Sequence, residues 1–310
     1  MEFAEVRLGI KNMDAPKDLT VFSGERIAGH CVCCGSTSLR SSSAIMMPFI
    51  SHRVFGWQPT QIEEHWGLKT ISSGMAYALC NSLYCEECEL LFMDIRFSDE
   101  EMSRLYHNYR GAEYTKLRDF YEPGYASRNQ ELAQPLVYLR ETEDFLTKFV
   151  GRPQSILDWG GDTGINTPFK DVVAEVNIYD ISEKLDHEGA SVSDKHRLRS
   201  KSFDLITCCN ALEHVPHPST VLAEIKEFMT DATALFIEVP FETLRVQNTS
   251  ASVLQMKRHW HEHINFYSEM ALRSLIRHSG LQVLALRSIA TNEKGNQAHV
   301  FQLICRKTSY

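Results

Sequence analysis

Short apolar runs alternate with amphipathic segments along the second half of the chain. The apolar runs have the length of buried strands and lie at residues 155–159, 176–181, 203–212, 232–240, 281–290 and 299–307. Residues 218–229 and 268–280 have the spacing of amphipathic helices. Strands that alternate with helices predict a doubly wound, mostly parallel sheet of the α/β class. The last two runs follow one another without a helix, which predicts an antiparallel hairpin at the sheet edge.

The first half of the chain follows a different pattern. Residues 30–93 carry cysteines and short aromatic runs, and residues 98–128 change to helical spacing, with a capping-box pattern at Ser98 and Glu101. A further helix is expected over 129–150. We therefore predict three regions: an N-terminal arm and cysteine module over 1–97 with an insertion at 35–84, a helical connector or substrate lid over 98–150, and the α/β domain over 151–310.

Composition and charge narrow the functional classes. The chain has 310 residues, of which 43% are hydrophobic and 23% charged, as in a soluble globular protein with a sizeable core. It has no apolar run of about 18 residues and no basic start followed by an apolar stretch, so neither a membrane span nor a signal peptide is expected. The formal net charge of -8 makes nucleic acid an unlikely partner and favours small substrates.

Nine cysteines stand in uneven groups along the chain. An odd count in clusters argues against a disulfide framework and for reduced thiols in a cytoplasmic protein. Cys31-x-x-Cys34 and Cys85-x-x-Cys88 each place two thiolates at a spacing suited to one tetrahedral zinc. A site with four thiolates is closed, so this zinc would be structural. Buried free cysteines and redox pairs are the alternatives.

The strand SILDW runs into a glycine-rich turn, DWGGDTG. Gly160, Gly161 and Gly164 let the backbone come close to a ligand, and Asp158 precedes them. Asp180 ends the next strand, where a carboxylate can accept hydrogen bonds from both hydroxyls of a ribose. The alternative is an ordinary strand–turn–helix connection with a capping aspartate.

This turn is similar to the D-x-G-x-G-x-G turn of class I S-adenosylmethionine-dependent methyltransferases, with Asp162 in place of the middle glycine. The resemblance implies a Rossmann-like sheet of seven strands and S-adenosylmethionine as the cofactor. It also implies cofactor contacts in the later run FDLITCCNALEHVPHP, with Glu213 just beyond the methionine end. The implied cofactor residues are Asp158, Gly160, Gly161, Gly164, Asp180, Asn210, Ala211, Leu212 and His214, with Asp194 as the candidate for the adenine.

The passage CEECELLFMDIRFSDEEMSRLYHNYRGAEY resembles the cysteine-pair, acidic and tyrosine-bearing passage that leads many bacterial sugar methyltransferases. These include zinc-containing deoxysugar C-methyltransferases and proteins of surface-polysaccharide gene sets. The resemblance runs from Cys31 to about Leu284 and is interrupted by the insertion. It implies a sugar or nucleotide-sugar acceptor and a zinc ion held by Cys31, Cys34, Cys85 and Cys88.

The run RHWHEHINFY, residues 258–267, carries three histidines and a glutamate within five residues. Its residue types allow a metal site, an acid/base cluster or a polar strand, in which His259, His261 and His263 would share one face. The run lacks the H-E-x-x-H pattern of zinc enzymes. A similar Tyr-His-Glu-His run in the sugar methyltransferases implies His263 as the general base, with Glu262 orienting it or contacting sugar hydroxyls and His261 in the same catalytic run.

Trp260 stands where that family has a tyrosine, which removes a hydroxyl able to stabilise an enolate. The chain also ends soon after the expected domain, and both features favour O-methylation over C-methylation. The tyrosine- and arginine-rich passage at 98–128 would either cover the substrate or pack on the core. The candidates for contact with the acceptor are Tyr114, Arg118, Tyr121, Tyr125 and Trp260.

These observations together predict an S-adenosylmethionine-dependent sugar methyltransferase with a structural zinc module. Two alternatives stay open: an rRNA base methyltransferase that joins four cysteines to the same fold, and a non-catalytic zinc-binding scaffold. The net negative charge and the histidine run disfavour the RNA enzyme. Asp162, in place of a glycine in the cofactor turn, is the feature that favours the non-catalytic scaffold. The sugar, the methylated position and the oligomeric state are not encoded in any pattern that we recognise.

Overall fold

The computed structural model describes residues 16–173, 175–181, 191–192, 195–293 and 296–308. Its strands are Leu39–Met46 (β1), Thr60–Ile62 (β2), Gly74–Ala76 (β3), Leu79–Cys85 (β4), Leu91–Met93 (β5), Ser155–Trp159 (β6), Glu175–Tyr179 (β7), Ser191–Val192 (β8), Leu205–Cys209 (β9), Ala234–Pro240 (β10), His259–Trp260 (β11), Asn265–Phe266 (β12), Leu281–Glu293 (β13) and Asn296–Lys307 (β14). Its α-helices are Pro48–Phe55 (α1), Asp99–Tyr106 (α2), Ala112–Tyr121 (α3), Tyr125–Leu132 (α4), Leu139–Val150 (α5), Lys195–Leu198 (α6), Pro218–Lys226 (α7), Thr243–Gln247 (α8), Ser250–Met256 (α9) and Glu269–His278 (α10). Short 3-10 helices lie at Leu19–Phe22 and Glu64–Trp66.

The main sheet has the strand order β13-β14-β10-β9-β6-β7-β8. The five neighbouring strands β10, β9, β6, β7 and β8 pair in parallel, whereas β14 runs antiparallel to both β10 and β13. This mixed sheet confirms the predicted α/β class and its C-terminal hairpin. Six of its strands have five or more residues, and β8 is described only at Ser191 and Val192, so six of the seven strands that we expected are clearly present among the described residues.

A second sheet, in the order β11-β1-β4-β5-β12, carries the cysteine module. Strands β1, β4 and β5 come from the N-terminal region, but β11 and β12 come from residues 259–266, which we had assigned to the α/β domain. The C-terminal half of the chain therefore completes the N-terminal sheet. The histidine run is also not one continuous strand, since β11 pairs with β1 and β12 with β5 on opposite edges of this sheet. The boundaries predicted at 97 and 150 stay predictions.

The helices that connect the two sheets begin and end where the sequence favours it. Ser98 caps α2 by accepting the amide of Glu101, whose carboxylate accepts the Ser98 amide, so the predicted capping box is confirmed. The single helix expected over 129–150 is instead two helices, α4 and α5. Pro135 stands between them, and a proline cannot donate the backbone hydrogen bond that a continuous helix needs.

One hydrophobic cluster joins the cysteine module to the main sheet. It includes Cys85, Leu90 and Phe92 from the module and Leu157 and Ile206 from the sheet. At the end of this contact, the Ser268 hydroxyl donates to the carbonyl of Cys88 at 2.9 Å while accepting the amide of Ala271, the third residue of α10. The module is therefore packed directly on the domain. None of the described helices combines the length and apolar character needed to cross a bilayer.

Candidate functional site

The two cysteine pairs meet as predicted. The Sγ atoms of Cys31, Cys34, Cys85 and Cys88 all lie within 4.8 Å of one another, and all four residues are buried. The Cys31–Cys88 and Cys34–Cys85 sulfur pairs are 3.4 and 3.5 Å apart. A tetrahedral zinc with bonds of about 2.3 Å places its sulfurs about 3.8 Å apart. The four side chains therefore fit a zinc ion.

Both pairs use the same backbone turn. The residue after the second cysteine takes a left-handed conformation, with φ of 67° at Gly35 and 63° at Glu89. Its amide donates to the carbonyl of the first cysteine, at 2.8 Å from Gly35 to Cys31 and 2.9 Å from Glu89 to Cys85. This turn directs both thiols of a pair to one side, so two such turns enclose a four-thiol centre.

The glycine turn after β6 is held in place by Asp158. Its buried carboxylate accepts hydrogen bonds from the hydroxyls of Thr167 and of Thr207. Thr207 lies in β9, and its Oγ1 is 2.6 Å from Asp158 Oδ1. A Cβ atom on Gly161 would stand 2.5 Å from Asp158 Oδ2, so only glycine fits there. A Cβ atom on Gly164 would clash with Ile178 Cδ1, and Gly164 does not line the cavity described below.

Asp162 adopts the left-handed conformation that the resembling family gives to glycine, with φ of 49°. Aspartate tolerates this region better than most residues. Its amide donates to Asp180 Oδ2 at 2.9 Å, which ties the turn to the end of β7. Aspartate at this position is therefore compatible with a turn that contacts the end of β7.

A cavity of about 2180 Å³ opens at the carboxyl ends of β6, β7, β9 and β10. Ligand sites of open α/β sheets lie at this edge. The predicted cofactor residues that line it are Asp158, Gly160, Gly161, Asp180, Asn210, Ala211 and His214. The prediction that Leu212 contacts the cofactor is corrected, because its side chain is fully buried in the core. Its carbonyl accepts hydrogen bonds from Asn265 and Tyr267. Asp194 lies outside the described residues.

Three further side chains converge on the wall of this cavity. Glu213, His214 and His263 each bring one possible ligand atom within 4.8 Å of the other two. Glu213 has no exposed surface, and neither of its carboxylate oxygens has a hydrogen-bonding partner among the described residues. Burial raises the pKa of Glu213 to about 7. We call these three residues the Glu-His-His cluster.

The two histidines of the cluster are held through their Nδ1 atoms. His214 Nδ1 lies 2.9 Å from the Tyr106 hydroxyl and 3.2 Å from the carbonyl oxygen of Glu262, and burial lowers the pKa of His214 to about 3. His263 Nδ1 lies 2.6 Å from Glu242 Oε1. Burial alone lowers the pKa of His263, but the hydrogen bond with Glu242 and the negative charges of Glu242, Glu213 and Glu262 together raise that pKa above its usual value. The two rings meet nearly at right angles, 4.6 Å apart.

Glu262 does not orient His263, because Glu242 occupies that position. Its carboxylate instead accepts from Arg118 Nη1 and the Tyr114 hydroxyl, each at 2.6 Å, although it also borders the cavity. Burial alone raises the pKa of Glu262, but the charge of Arg118, the neighbouring His214 and the hydrogen bonds from Tyr114 and Arg118 together lower that pKa to about 2. Glu262 and His263, although adjacent in the chain, therefore reach different partners.

The remaining predictions divide between the cavity and the core. Arg118 and Tyr125 border the cavity, whereas Tyr114 is buried behind Glu262. Tyr121 is half-buried, with its hydroxyl 2.8 Å from His52 Nδ1.

His261 lies apart from the cluster, 3.4 Å from Glu122. Trp260 is a correction, because it is completely buried in the second sheet and its Nε1 donates to Ser82 at 2.9 Å. The tertiary packing of β11 therefore assigns this residue to the core.

Three residues at the site were missed. Glu238 lies buried in β10, where it accepts from Tyr138 and Gln302, and Tyr138 borders the cavity. A glutamate inside the apolar run ALFIEVP is a signal that could have identified it, because buried acids need partners. Glu242 gives no such signal, since it lies in a polar loop after β10.

A family model described as "Methyltransferase domain" matches residues 126–286, just over half of the chain. The chain belongs to this methyltransferase family. The expected S-adenosylmethionine-dependent methyltransferase is thereby confirmed at the level of the family, with the glycine turn, Asp180 and the Glu-His-His cluster all inside the matched region.

Curated relatives of this methyltransferase are named ubiquinone biosynthesis O-methyltransferases. That of Aromatoleum aromaticum is 24% identical over 136 residues, 42% of this chain and 58% of the relative. That of Thiobacillus denitrificans is 26% identical over 130 residues, 39% of this chain and 54% of the relative. The chain thus spans about half the length of these relatives. They give no support to the resemblance to sugar methyltransferases.

Among solved structures, the methyltransferase resembles 1,6-didemethyltoxoflavin-N1-methyltransferase of Burkholderia thailandensis. That structure holds 1,6-didemethyltoxoflavin and S-adenosylhomocysteine. The two chains are 14% identical, with a TM-score of 0.46 over 74% of this chain and 96% of the other.

Proposed function

We propose that this protein transfers the methyl group of S-adenosylmethionine to a hydroxyl oxygen of a small acceptor. The observation that carries the proposal is that the glycine turn and the Glu-His-His cluster border one cavity. Its volume of about 2180 Å³ exceeds the roughly 300–1,000 Å³ of a common ligand pocket, so it has room for a cofactor and an acceptor together.

The cofactor would lie along the glycine turn. Asp180 stands at the end of β7, where a carboxylate suits the ribose hydroxyls, and Gly161 leaves the backbone open to close approach. Asn210 and Ala211 follow β9 and would border the methionine part. This placement directs the sulfonium methyl toward the side of the cavity that carries His214 and His263.

The reaction needs an oxygen in line with the methyl–sulfur bond. As the acceptor oxygen bonds to the methyl carbon, the carbon–sulfur bond breaks and its electron pair returns to sulfur, while the hydroxyl proton passes to Nε2 of the neutral His263 ring. We propose His263 as the residue that activates this hydroxyl, because the Glu242 contact at Nδ1 leaves Nε2 with its lone pair. Proton removal is worth about 10²–10⁴ in rate, and alignment can lower the barrier by about 7–11 kcal/mol.

The acceptor class is a finer proposal. The sugar expected from the cysteine-pair passage remains the first candidate, and Tyr125 with Arg118 stacked 4.1 Å over its ring offers a flat wall for it. The names of the curated relatives support transfer to oxygen and make a phenolic hydroxyl the second candidate.

Zinc is the second group that we propose. Cys31, Cys34, Cys85 and Cys88 would hold one zinc ion as thiolates, since their sulfurs are buried and spaced as a tetrahedral ion requires. Four thiolates leave no open position, so this zinc would stabilise the second sheet and take no part in the reaction. A cytoplasmic location, expected from the cysteine pattern, also remains a prediction.

The test combines binding and turnover. Isothermal titration with S-adenosylmethionine should give one site per chain, and mass spectrometry should detect methyl transfer within panels of nucleotide sugars and of phenols. His263→Ala should lower the rate about 10²–10⁴-fold with the cofactor affinity unchanged, whereas His261→Ala, whose ring lies apart at Glu122, should keep the rate. Failure to bind S-adenosylmethionine would overturn the proposal.

A further inference from the structure

The starting point is the surroundings of Glu213. Its carboxylate is fully buried, and neither oxygen receives a hydrogen bond from any described residue. His214 Nε2 lies 3.7 Å from Oε1, which is too long for a hydrogen bond. A buried carboxylate is ordinarily paired with donors or with a cation. Glu213 therefore stands at the cavity wall with its coordination capacity unused.

The hydrogen bonds of the two histidines determine which ring nitrogens carry hydrogen. His214 Nδ1 lies 3.2 Å from the carbonyl oxygen of Glu262, which only accepts, and 2.9 Å from the Tyr106 hydroxyl, which can accept as well; both contacts are satisfied with the hydrogen on Nδ1. His263 Nδ1 lies 2.6 Å from the Glu242 carboxylate, which requires a donor in the same way. In the neutral rings the Nε2 atoms therefore carry lone pairs.

Two imidazole lone pairs and a carboxylate thus converge within 4.8 Å, and no described residue donates a hydrogen bond to the carboxylate between them. We propose that Glu213, His214 and His263 bind one divalent cation that in turn holds the acceptor. The proposal rests on the proposed function and deepens it. The cation would supply the positive charge that the three acceptors lack.

The outer contacts match those of metal-binding histidines, which commonly donate their second N–H to a carboxylate or a backbone carbonyl. Glu242 and the Glu262 carbonyl are those acceptors here. The mixed nitrogen and oxygen set suits a first-row ion such as Mn²⁺, Fe²⁺, Co²⁺ or Zn²⁺, and differs from the four thiolates of the cysteine centre. The Glu-His-His cluster also borders an open cavity, so ligand positions remain for the substrate.

Three protein ligands on one side of an octahedral ion leave adjacent positions open. An acceptor with two neighbouring oxygens, such as a vicinal diol or an ortho-diphenol, would occupy two of them. The cation lowers the pKa of the bound hydroxyl, and its proton passes to water in the cavity. The oxygen then takes the methyl group while the electron pair of the carbon–sulfur bond returns to sulfur. In this arrangement His263 Nε2 would bind the cation, and activation of the hydroxyl by the cation would replace direct proton removal by His263.

The test is a titration of zinc-loaded protein with Mn²⁺, followed by electron paramagnetic resonance of the free ion. Mn²⁺ is the probe because thiolates select softer ions, so the cysteine centre does not take it up. Wild-type protein should bind one Mn²⁺ per chain. Glu213→Gln and His263→Ala should each weaken this binding at least about tenfold, with unfolding midpoints near the wild-type value, and His261→Ala should bind as the wild type does.

Two results would overturn the cation site: no Mn²⁺ binding by wild-type protein at millimolar concentration, or equal binding by wild type and Glu213→Gln. The same samples are titrated with S-adenosylmethionine. If the protein binds S-adenosylmethionine normally but does not bind Mn²⁺, the cation site is overturned and the methyltransferase proposal remains. Mn²⁺ binding as expected, without cofactor binding, would overturn the proposed function and leave the cation site. A tighter Mn²⁺ complex with a catechol or a vicinal diol than with a monohydroxyl compound would support the acceptor class.

Discussion

The two groups of candidate metal ligands in this protein differ in number and in access. The cysteine centre offers four thiols, all buried, in paired turns that enclose them. The Glu-His-His cluster offers three donors beside a cavity of about 2180 Å³. Four donors complete a tetrahedral shell and exclude other ligands, whereas three leave room for a substrate. The comparison assigns stability to the first group and chemistry to the second.

The sequence signals of the two groups differ in the same way. Each cysteine pair is local, since both ligands lie on one short turn. The members of the cluster come from the loop after β9 and from the turn between β11 and β12, about 50 residues apart. Local turns can be read from spacing, whereas the cluster exists only after both sheets have formed.

The largest expected effect is on the cysteine centre. Cys85→Ser should abolish zinc binding and unfold the second sheet, because structural zinc contributes about 10–16 kcal/mol in small modules. Zinc analysis and circular dichroism on heating provide the measurement. Cys80→Ser, at a buried cysteine outside the centre, is the control and should cost no more than about 1–3 kcal/mol. If Cys85→Ser and Glu213→Gln lowered the unfolding temperature by the same amount, the cysteine centre and the Glu-His-His cluster would not differ in their contribution to stability.

The second prediction concerns the wall behind the cluster. Arg118→Met leaves the Glu262 carboxylate buried without its cation and should lower the free energy of unfolding by about 3–5 kcal/mol, measured by urea denaturation. Lys116→Met, on the exposed side of the same helix, is the control and should change it by about 0.5 kcal/mol or less. The double variant Arg118→Met/Glu262→Gln should recover part of the loss, and no recovery would contradict the pairing.

The third prediction tests whether the open cavity is the cofactor site. Gly161→Ala would place a Cβ atom 2.5 Å from Asp158 Oδ2 and should weaken S-adenosylmethionine binding about 100-fold, or about 2.7 kcal/mol, by isothermal titration. Gly29→Ala is the matched control, because its Cβ would meet only Glu25 Oε1, at an ordinary 3.7 Å. Unchanged affinity in Gly161→Ala would separate the cavity from the cofactor.

The smallest effect concerns Lys257, a buried cation of the second sheet that belongs to neither group. Burial lowers its pKa from 10.5 to about 8. Between pH 8 and 10.5 the unfolded chain holds the proton that the folded chain has lost, so this residue makes the free energy of unfolding rise with pH. Lys257→Met should lack that rise and be more stable than wild type at pH 7 by about 1–3 kcal/mol.

Urea denaturation of Lys257→Met and of wild type across this pH range provides the measurement, with Lys116→Met as the exposed control. Parallel curves for Lys257→Met and wild type would show that the side chain is ionised at no cost. The aromatic rings of Trp260 and Phe266, 4.5 and 4.1 Å from Nζ, would then be sufficient to stabilise the charge.

Much of the fold follows from residue patterns. The apolar runs of the main sheet, the capping box at Ser98 and the C-terminal hairpin were all predicted from periodicity and short-range signals. The break before α5 was missed, although Pro135 could have indicated it. Strand β8 was not predicted, because no apolar run marks it in the sequence, and it is identified by its pairing with β7.

The candidate site was predicted in part. Asp158, Gly161 and Asp180 lie at the cavity because each belongs to a strand end, where sequence order determines position. Trp260 was assigned to the substrate, but the pairing of β11 with β1 buries it. The partner of His263 was predicted as the adjacent Glu262, whereas the fold brings Glu242 to it from 21 residues away.

The sequence by itself determined the elements and the local donors: which runs form strands, where the glycine turn lies, and which cysteines share a turn. These depend on interactions within a few residues, and their spacing is visible in the chain. Only the tertiary structure decided that residues 259–266 complete the N-terminal sheet. It also decided that Glu213, His214 and His263 meet, with no hydrogen bond from a described residue to the Glu213 carboxylate. Contacts of that kind depend on how two sheets pack, and packing is determined by the shapes and burial of many distant side chains together.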